Sequence, residues 1–195
     1  MFNYANRKEP ILEPVLRELR FNIIKNFLLT FSNKNWVILD FGCGPEAKFY
    51  KYIRNNKISF KKYYGYDPLK IVDINDKDFQ LTSNIKRIYK NKYDLITMFA
   101  VLEHLDFPNP DFSFLSRLKP GSFLIITTPT LLAKPVLEFL SYRLGIISKR
   151  EILEHKHYYT FNEIERLFSG YGYKMIKAKV FELGMNNLVI LKKQS

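Results

Sequence analysis

Cysteine is nearly missing from this chain of 195 residues. Its one thiol, Cys43, excludes an intramolecular disulfide framework and a multi-cysteine zinc site. Long uncharged apolar runs are missing as well. None approaches the ~20 residues that cross a bilayer, and the longest candidate, LLAKPVLEFLSYRLGII, is interrupted by Lys134, Glu138 and Arg143. The opening MFNYANRKEP lacks the apolar core of a secretory leader. A cytoplasmic setting is therefore expected, with peripheral contact the membrane role left open. Internal repeats and low-complexity segments are absent. Dense arginine tracts are absent too, although Lys and Arg outnumber Asp and Glu by 31 to 19 and the formal net charge is +12. Such a charge favours an acidic partner: nucleic acid, a nucleotide-linked or phosphorylated substrate, or an anionic membrane surface. The basic residues are scattered, as in Lys48, Lys51, Arg54, Lys57, Lys61 and Lys62, which reads more simply as a solvated surface. Nucleic acid is thus admitted by the charge but is not the expected partner.

What is present suits a packed domain. Hydrophobic residues make up 47% and aromatics 16%, enough for a sizeable core. Apolar residues from Pro10 to about Phe31 recur at helical spacing. Short apolar runs predict strands at Trp36–Leu39, Tyr63–Tyr66, Phe79–Thr82, Leu95–Ala100 and Phe123–Thr128, then near Lys174–Phe181 and Leu188–Leu191. Helices are predicted at Pro45–Arg54, Phe112–Leu118, Leu132–Leu144 and Phe161–Ser169, the last with a capping box of Thr160 and Glu163. Strands alternating with helices predict an α/β fold: a mostly parallel seven-stranded sheet in a three-layer sandwich. The last two strands have no long helix between them, so an antiparallel C-terminal strand is expected at one edge.

The stretch VILDFGCGPEA ends an apolar run on Asp40 and then places Gly42 and Gly44 one residue apart. At the C-terminal end of a parallel strand, glycines permit a tight turn and close approach of backbone to ligand. The following helix N-terminus adds unpaired N–H groups. The spacing Gly42-x-Gly44-x-x-Ala47 fits a dinucleotide fingerprint, with Asp67 placed about 20 residues on for ribose hydroxyls. The loop alone therefore admits a nicotinamide cofactor or another adenosyl ligand. Asp40 separates them in chemistry. A carboxylate there repels phosphate and favours a ligand with an ammonium group, such as S-adenosylmethionine.

Asp40-Phe41-Gly42-Cys43-Gly44 resembles the first motif of class I S-adenosylmethionine-dependent methyltransferases. Tyr64-Gly65-Tyr66-Asp67-Pro68 resembles their second strand with its ribose-binding acid. The run from Tyr93 to His104 (YDLITMFAVLEH) is similar to the fourth-strand motif of the small-molecule branch, and Leu118–Ser122 to the turn before the fifth strand. The order is the family's order, and His155-Lys156-His157-Tyr158-Tyr159-Thr160 extends the likeness. Glu46 stands where the family often has a third glycine, Ser122 where a second glycine is common, and Asn84 near a position that often holds an acid.

The resemblance implies a Rossmann-like single methyltransferase domain over 1–195. Residues 1–34 would form an N-terminal helical cap, 35–130 the cofactor-binding core, and 131–195 the acceptor-side helices and C-terminal hairpin. It implies that Asp40, Gly42, Cys43, Gly44, Asp67 and Pro68 bind cofactor. Met98, Phe99 and Ala100 would line the adenosyl or methionine side through backbone contacts, and Asn84 would accept from the adenine amino group. The acceptor would be a small molecule such as a sugar or lipid-linked glycan intermediate. A hydroxyl acceptor needs a base, for which histidine is suited near neutral pH. The candidates are His104, His155 and His157. Metal-assisted members of the family exist, so Glu103, His104 and a later histidine are the set that a cation would use, but no metal is expected, because adjacent Glu103 and His104 would point in different directions on a helix. Phe2 and Tyr4 would offer aromatic faces to a sulfonium. The helix Leu132–Leu144 would shape an acceptor pocket or lie on a membrane surface. Three alternatives stay open: an RNA or protein methyltransferase, a nicotinamide-dependent enzyme, and a catalytically silent cofactor-binding partner.

Overall fold

The computed structural model describes residues 12–30, 35–69, 74, 76–108, 110–142 and 153–195. Seven strands form one sheet: β1 (Val37–Phe41), β2 (Lys62–Tyr66), β3 (Phe79–Thr82), β4 (Tyr93–Phe99), β5 (Leu118–Pro129), β6 (Tyr173–Phe181) and β7 (Asn186–Lys193). Their order is β3-β2-β1-β4-β5-β7-β6. All pairs from β3 to β5 are parallel. Only β7 runs against the rest, between β5 and β6, so the expected terminal hairpin sits at one edge with its reversed strand one place in.

Alternation along the strands sorts side chains into two cores. Ile38, Leu95, Ile125 and Ile190 pack on one face with Phe21, Ile24 and Leu28 of α1 (Glu13–Thr30) and Phe49 and Ile53 of α2 (Lys48–Asn55). Leu39, Ile96, Ile126 and Val189 pack on the other. There they meet Phe114 of the 3-10 turn Ser113–Arg117 and Ile164 and Phe168 of a C-terminal helix, Phe161–Ser169. Burial on both faces is why these strands read as unbroken apolar runs. Two further helices belong to the described chain: α3 (Ile85–Ile88) and α4 (Ala133–Tyr142). The C-terminal helix is α5. Among the described residues no helix is long and apolar enough to cross a membrane.

Most element boundaries shift by a residue or two from the sequence expectation, and three differences have a clear physical cause. The predicted helix at Phe112–Leu118 is the 3-10 turn. There the Ser113 N–H donates to Asp111 Oδ1 at 2.9 Å, and Ser116 Oγ donates to the Ser113 carbonyl at 2.8 Å. These local side-chain bonds compete with α-helical pairing. The predicted turn at Leu118–Ser122 joins β5, with a register shift between Tyr93 and Leu95 opposite it. Helix α2 begins at Lys48 and not at Pro45, because Ala47 holds a left-handed conformation at φ 49°. The α5 cap is as expected. Glu163 N–H donates to Thr160 Oγ1 at 3.3 Å, and Thr160 N–H donates to Glu163 Oε2 at 2.7 Å. Thr160→Ala is expected to cost about 1 kcal/mol. A thermal melt should show a Tm lower by about 2–4 °C.

Candidate active site

The strand order reverses direction between β1 and β4, and ligands of open α/β sheets bind at the carboxyl ends of such strands. A cavity of about 390 Å³ opens there. Asp40, Gly42, Cys43 and Gly44 reach it from the end of β1, Phe99 and Ala100 from the end of β4. Helix α1 adds Arg17 and Arg20, α4 adds Leu137, and a distant segment adds His155.

The glycine turn is latched to the neighbouring strand. Gly42 and Cys43 N–H groups donate to the Tyr66 carbonyl at 2.8 and 3.1 Å. Gly44 N–H donates to Asp67 Oδ2 at 3.0 Å, and Leu69 N–H to Asp67 Oδ1 at 2.8 Å. Gly42 and Gly44 have φ of 74° and 72°. The two do different work. A Cβ on Gly42 would lie 2.3 Å from Val101 Cγ2, so the β1 and β4 loops touch there, whereas a Cβ on Gly44 would meet nothing within 4 Å. Gly65 makes room beneath the turn, where a Cβ would sit 2.9 Å from Cys43 Sγ. The Cys43 thiol is thus a packing group. Burial pushes its pKa up, and Asp40 and Asp67 push it further.

Asp40 is 1% exposed, with a hydroxyl on each carboxylate oxygen. Tyr63 donates to Oδ2 at 2.6 Å and Thr97 to Oδ1 at 2.7 Å. Burial raises its pKa to about 6, against the opposing pull of those two bonds. Asp67 is also raised by burial, against its two backbone N–H donors.

Beyond β4 the chain turns through a 3-10 segment, Leu102–His104. The Lys156 N–H donates to the Glu103 carbonyl at 2.7 Å, which fastens residues 155–157 to this turn. As a result the His104 and His155 rings lie 4.9 Å apart. His104 Nδ1 meets the Glu154 carbonyl at 3.3 Å and His155 Nδ1 meets the Tyr158 hydroxyl at 3.1 Å. Burial lowers both imidazoles; His155 falls to about 4, with His104 adding to the effect. Glu103 is 1% exposed. Burial pushes it up to about 7, opposed by its own backbone N–H, Arg20 and Thr128.

Other residues assigned from sequence lie outside the cavity lining. The Met98 side chain is fully buried in the opposite core, because Thr97 and Phe99 face the Asp40 side of β4 and alternation turns Met98 away, which leaves only its backbone for the contact expected of it. His157 lies outside the cavity lining. Its ring stacks on Phe107 at 4.0 Å, and Nε2 meets Glu163 Oε1 at 3.1 Å, so it serves the start of α5. Asn84 Oδ1 accepts from Lys86 N–H at 3.0 Å and caps α3, away from the cavity. Asp67 and Pro68 flank the glycine turn without lining the cavity, Pro68 being exposed. Phe2 and Tyr4 fall outside the described residues, as does part of the Leu131–His157 segment.

Sequence reasoning missed Tyr63 and Thr97 as partners of Asp40, since strand register alone brings them together. It also missed Arg17 and Arg20. Their signal was visible: Arg20 adjoins Phe21 and lies four residues before Ile24, so it sits near the buried stripe of α1.

A family model described as a methyltransferase domain matches residues 15–178. No curated protein matches the chain in sequence. Solved structures do match in fold. A SAM-dependent methyltransferase from Archaeoglobus fulgidus is 17% identical, with a TM-score of 0.63 over 91% of this chain and 94% of that one. The plantazolicin methyltransferase BpumL, solved with a triazolic desmethylPZN analogue and SAH, is 17% identical at a TM-score of 0.65, over 94% of this chain and 86% of that one. Magnesium protoporphyrin IX methyltransferase from Synechocystis PCC 6803, solved with SAH, is 14% identical at a TM-score of 0.62, over 98% and 90%. With the family model spanning helix α1 to strand β6 and the sheet folded as theirs is, this chain belongs to the methyltransferase-domain family and has the Rossmann-like fold of class I S-adenosylmethionine-dependent methyltransferases.

Proposed function

We propose that the cavity at the β1–β4 switch point binds S-adenosylmethionine and passes its methyl group to a small-molecule acceptor. The methionine ammonium would sit near Asp40, with the Gly42–Gly44 turn beneath it and Asp67 and Pro68 toward the ribose. Phe99 and Ala100 line the same cavity from the end of β4. The acceptor would enter beside His104 and His155, where a proton leaving a hydroxyl finds imidazole nitrogen. A sugar or a lipid-linked glycan intermediate is the acceptor class favoured.

The observation that carries this reading is the position of the Asp40 carboxylate. It is buried, lines the cavity and stands at the glycine turn. A pyrophosphate placed there would meet a desolvated negative charge, whereas an ammonium group gains from it. The cavity is at the small end of the ~300–1,000 Å³ range of small-molecule sites. That size supports a compact acceptor more than a folded RNA. The lone buried thiol is compatible with a reducing cytoplasm.

Calorimetric titration tests the cofactor half. S-adenosylmethionine and S-adenosylhomocysteine should bind, and NADH and NADPH should not. Transfer of radiolabelled methyl to a panel of sugar and prenyl-linked glycan hydroxyls, run beside total RNA and protein, tests the acceptor half. Label appearing only in RNA or protein would overturn the small-molecule reading. Nicotinamide binding alone would overturn the cofactor.

A further inference from the structure

Glu103 and His104 are neighbours in sequence, and His155 lies far along the chain. On a regular helix the first two would diverge. The 3-10 turn Leu102–His104 and the bond from Lys156 N–H to the Glu103 carbonyl bring all three to one place. One carboxylate oxygen of Glu103 and one nitrogen of each histidine lie within 4.8 Å of one another, and all three residues line the cavity. We propose that Glu103, His104 and His155 form a binding site for a divalent cation of the Zn²⁺ or Mn²⁺ type, open toward the acceptor end of the cavity.

Three features argue for it beyond the convergence. First, Glu103 Oε2 is buried and finds no hydrogen-bond partner among the described residues. Buried polar atoms are nearly always satisfied; the Thr128 hydroxyl and Arg20 Nε, which belong to the two side chains acting on this carboxylate, are likewise buried without a geometric hydrogen bond, so Oε2 keeps lone pairs that a cation can take. Second, the Nδ1 atoms of both histidines are already engaged, one with the Glu154 carbonyl and one with the Tyr158 hydroxyl. With the proton on Nδ1, each Nε2 keeps its lone pair for a metal, and the outer partners hold the rings in orientation. Third, two nitrogens and one carboxylate are a borderline donor set. It suits zinc, manganese and their neighbours and disfavours magnesium and calcium, which take oxygen. Bonds of about 2.0–2.2 Å set tetrahedral donors roughly 3.4 Å apart, so small side-chain rotations close the cluster. Three protein ligands leave a coordination position free. Its use toward the acceptor rests on the methyl-transfer reading above but replaces the imidazole as proton acceptor, since each lone pair is then on the metal: a hydroxyl bound there would give its proton to solvent more readily, and the resulting alkoxide would attack the sulfonium methyl as the carbon–sulfur bond breaks.

Metal-stripped protein titrated with ZnCl₂, MnCl₂ and MgCl₂ by calorimetry tests the site without any turnover. Zinc and manganese should each bind at one equivalent, with magnesium much weaker. Manganese EPR should show nitrogen coupling. Glu103→Gln and His155→Ala should each weaken binding about tenfold or more, while His157→Ala, outside the cluster, should not. Thermal melts and S-adenosylhomocysteine titrations on the same samples report folding and the cofactor pocket separately. If Glu103→Gln unfolds, His155→Ala at a half-buried position decides. Absence of zinc and manganese binding in folded protein would overturn the site, as would binding that is equal in all variants. Metal binding without S-adenosylhomocysteine binding would remove the cofactor reading and leave the site standing.

Discussion

Asp40→Asn should reduce S-adenosylhomocysteine affinity roughly a hundredfold or more while making the free protein more heat-stable. The two effects share one cause. Asp40 is fully enclosed, and its pKa is raised from 3.8 to about 6. Keeping it ionised at neutral pH therefore costs the folded state about 3 kcal/mol. A bound ammonium offsets that cost by pairing with the charge, and the amide cannot supply the pairing. The Tyr63 and Thr97 hydroxyls can rotate to serve either oxygen or the amide N–H₂, so the variant should keep its packing.

The sign is checkable. Because the folded pKa of Asp40 lies above the unfolded value, its contribution to stability is fully present below about pH 4 and is lost as pH rises through about 6. The wild type minus variant difference in Tm should therefore grow more negative from about pH 4.5 to about pH 7.5. Ligand affinity should run the other way, weakening as pH falls through 6, where the carboxylate takes its proton. Calorimetry at both ends of that window would show it. A variant that binds S-adenosylhomocysteine as tightly as wild type would remove Asp40 from the ligand site.

The second large effect is expected at Gly42. Its Cβ position falls 2.3 Å from Val101 Cγ2, and its φ is 74°. Gly42→Ala would pay both a left-handed backbone cost of about 1–2 kcal/mol and an overpacking cost of about 1–3 kcal/mol. A Tm loss near 6–15 °C follows, with cofactor binding abolished because the turn must move. Gly44→Ala gives the contrast. It bears the backbone cost alone, since nothing lies within 4 Å, and its new methyl projects into open space. Its Tm should fall less than half as far, with the larger loss in ligand affinity. Equal Tm losses in the two variants would show that the Val101 contact does not constrain the turn. Gly42→Ala combined with Val101→Ala should recover part of the stability, which separates the clash from the backbone cost.

How much of this was legible depends on where the signal resides. Strand β3 and helix α5 were readable to the residue, because a short apolar run and a capping box are local patterns. The glycine turn was readable too, since Asp40, Gly42 and Gly44 are contiguous and their chemistry does not depend on distant partners. The turn at Ser113–Arg117 was not, because apolar spacing over five residues cannot distinguish an α-helix from a 3-10 turn. Met98 could have been placed by alternation from Asp40 and Thr97, had the register been known. His155 and His157 are indistinguishable in sequence. One reaches the cavity and the other stacks on Phe107, and that choice is made by contacts with other segments.

The sequence by itself determined the fold class, the family and the loop that lines the cavity. Each is written in the period of apolar residues or in adjacent residues of fixed chemistry, and folding does not change such relations. The tertiary structure alone decided that Asp40 would be buried between two hydroxyls, that α1 would bring its arginines to the cavity, and that Glu103, His104 and His155 would converge. Those relations join residues far apart in the chain. They arise only when parallel strands take their register and a backbone hydrogen bond from Lys156 to Glu103 closes the distance.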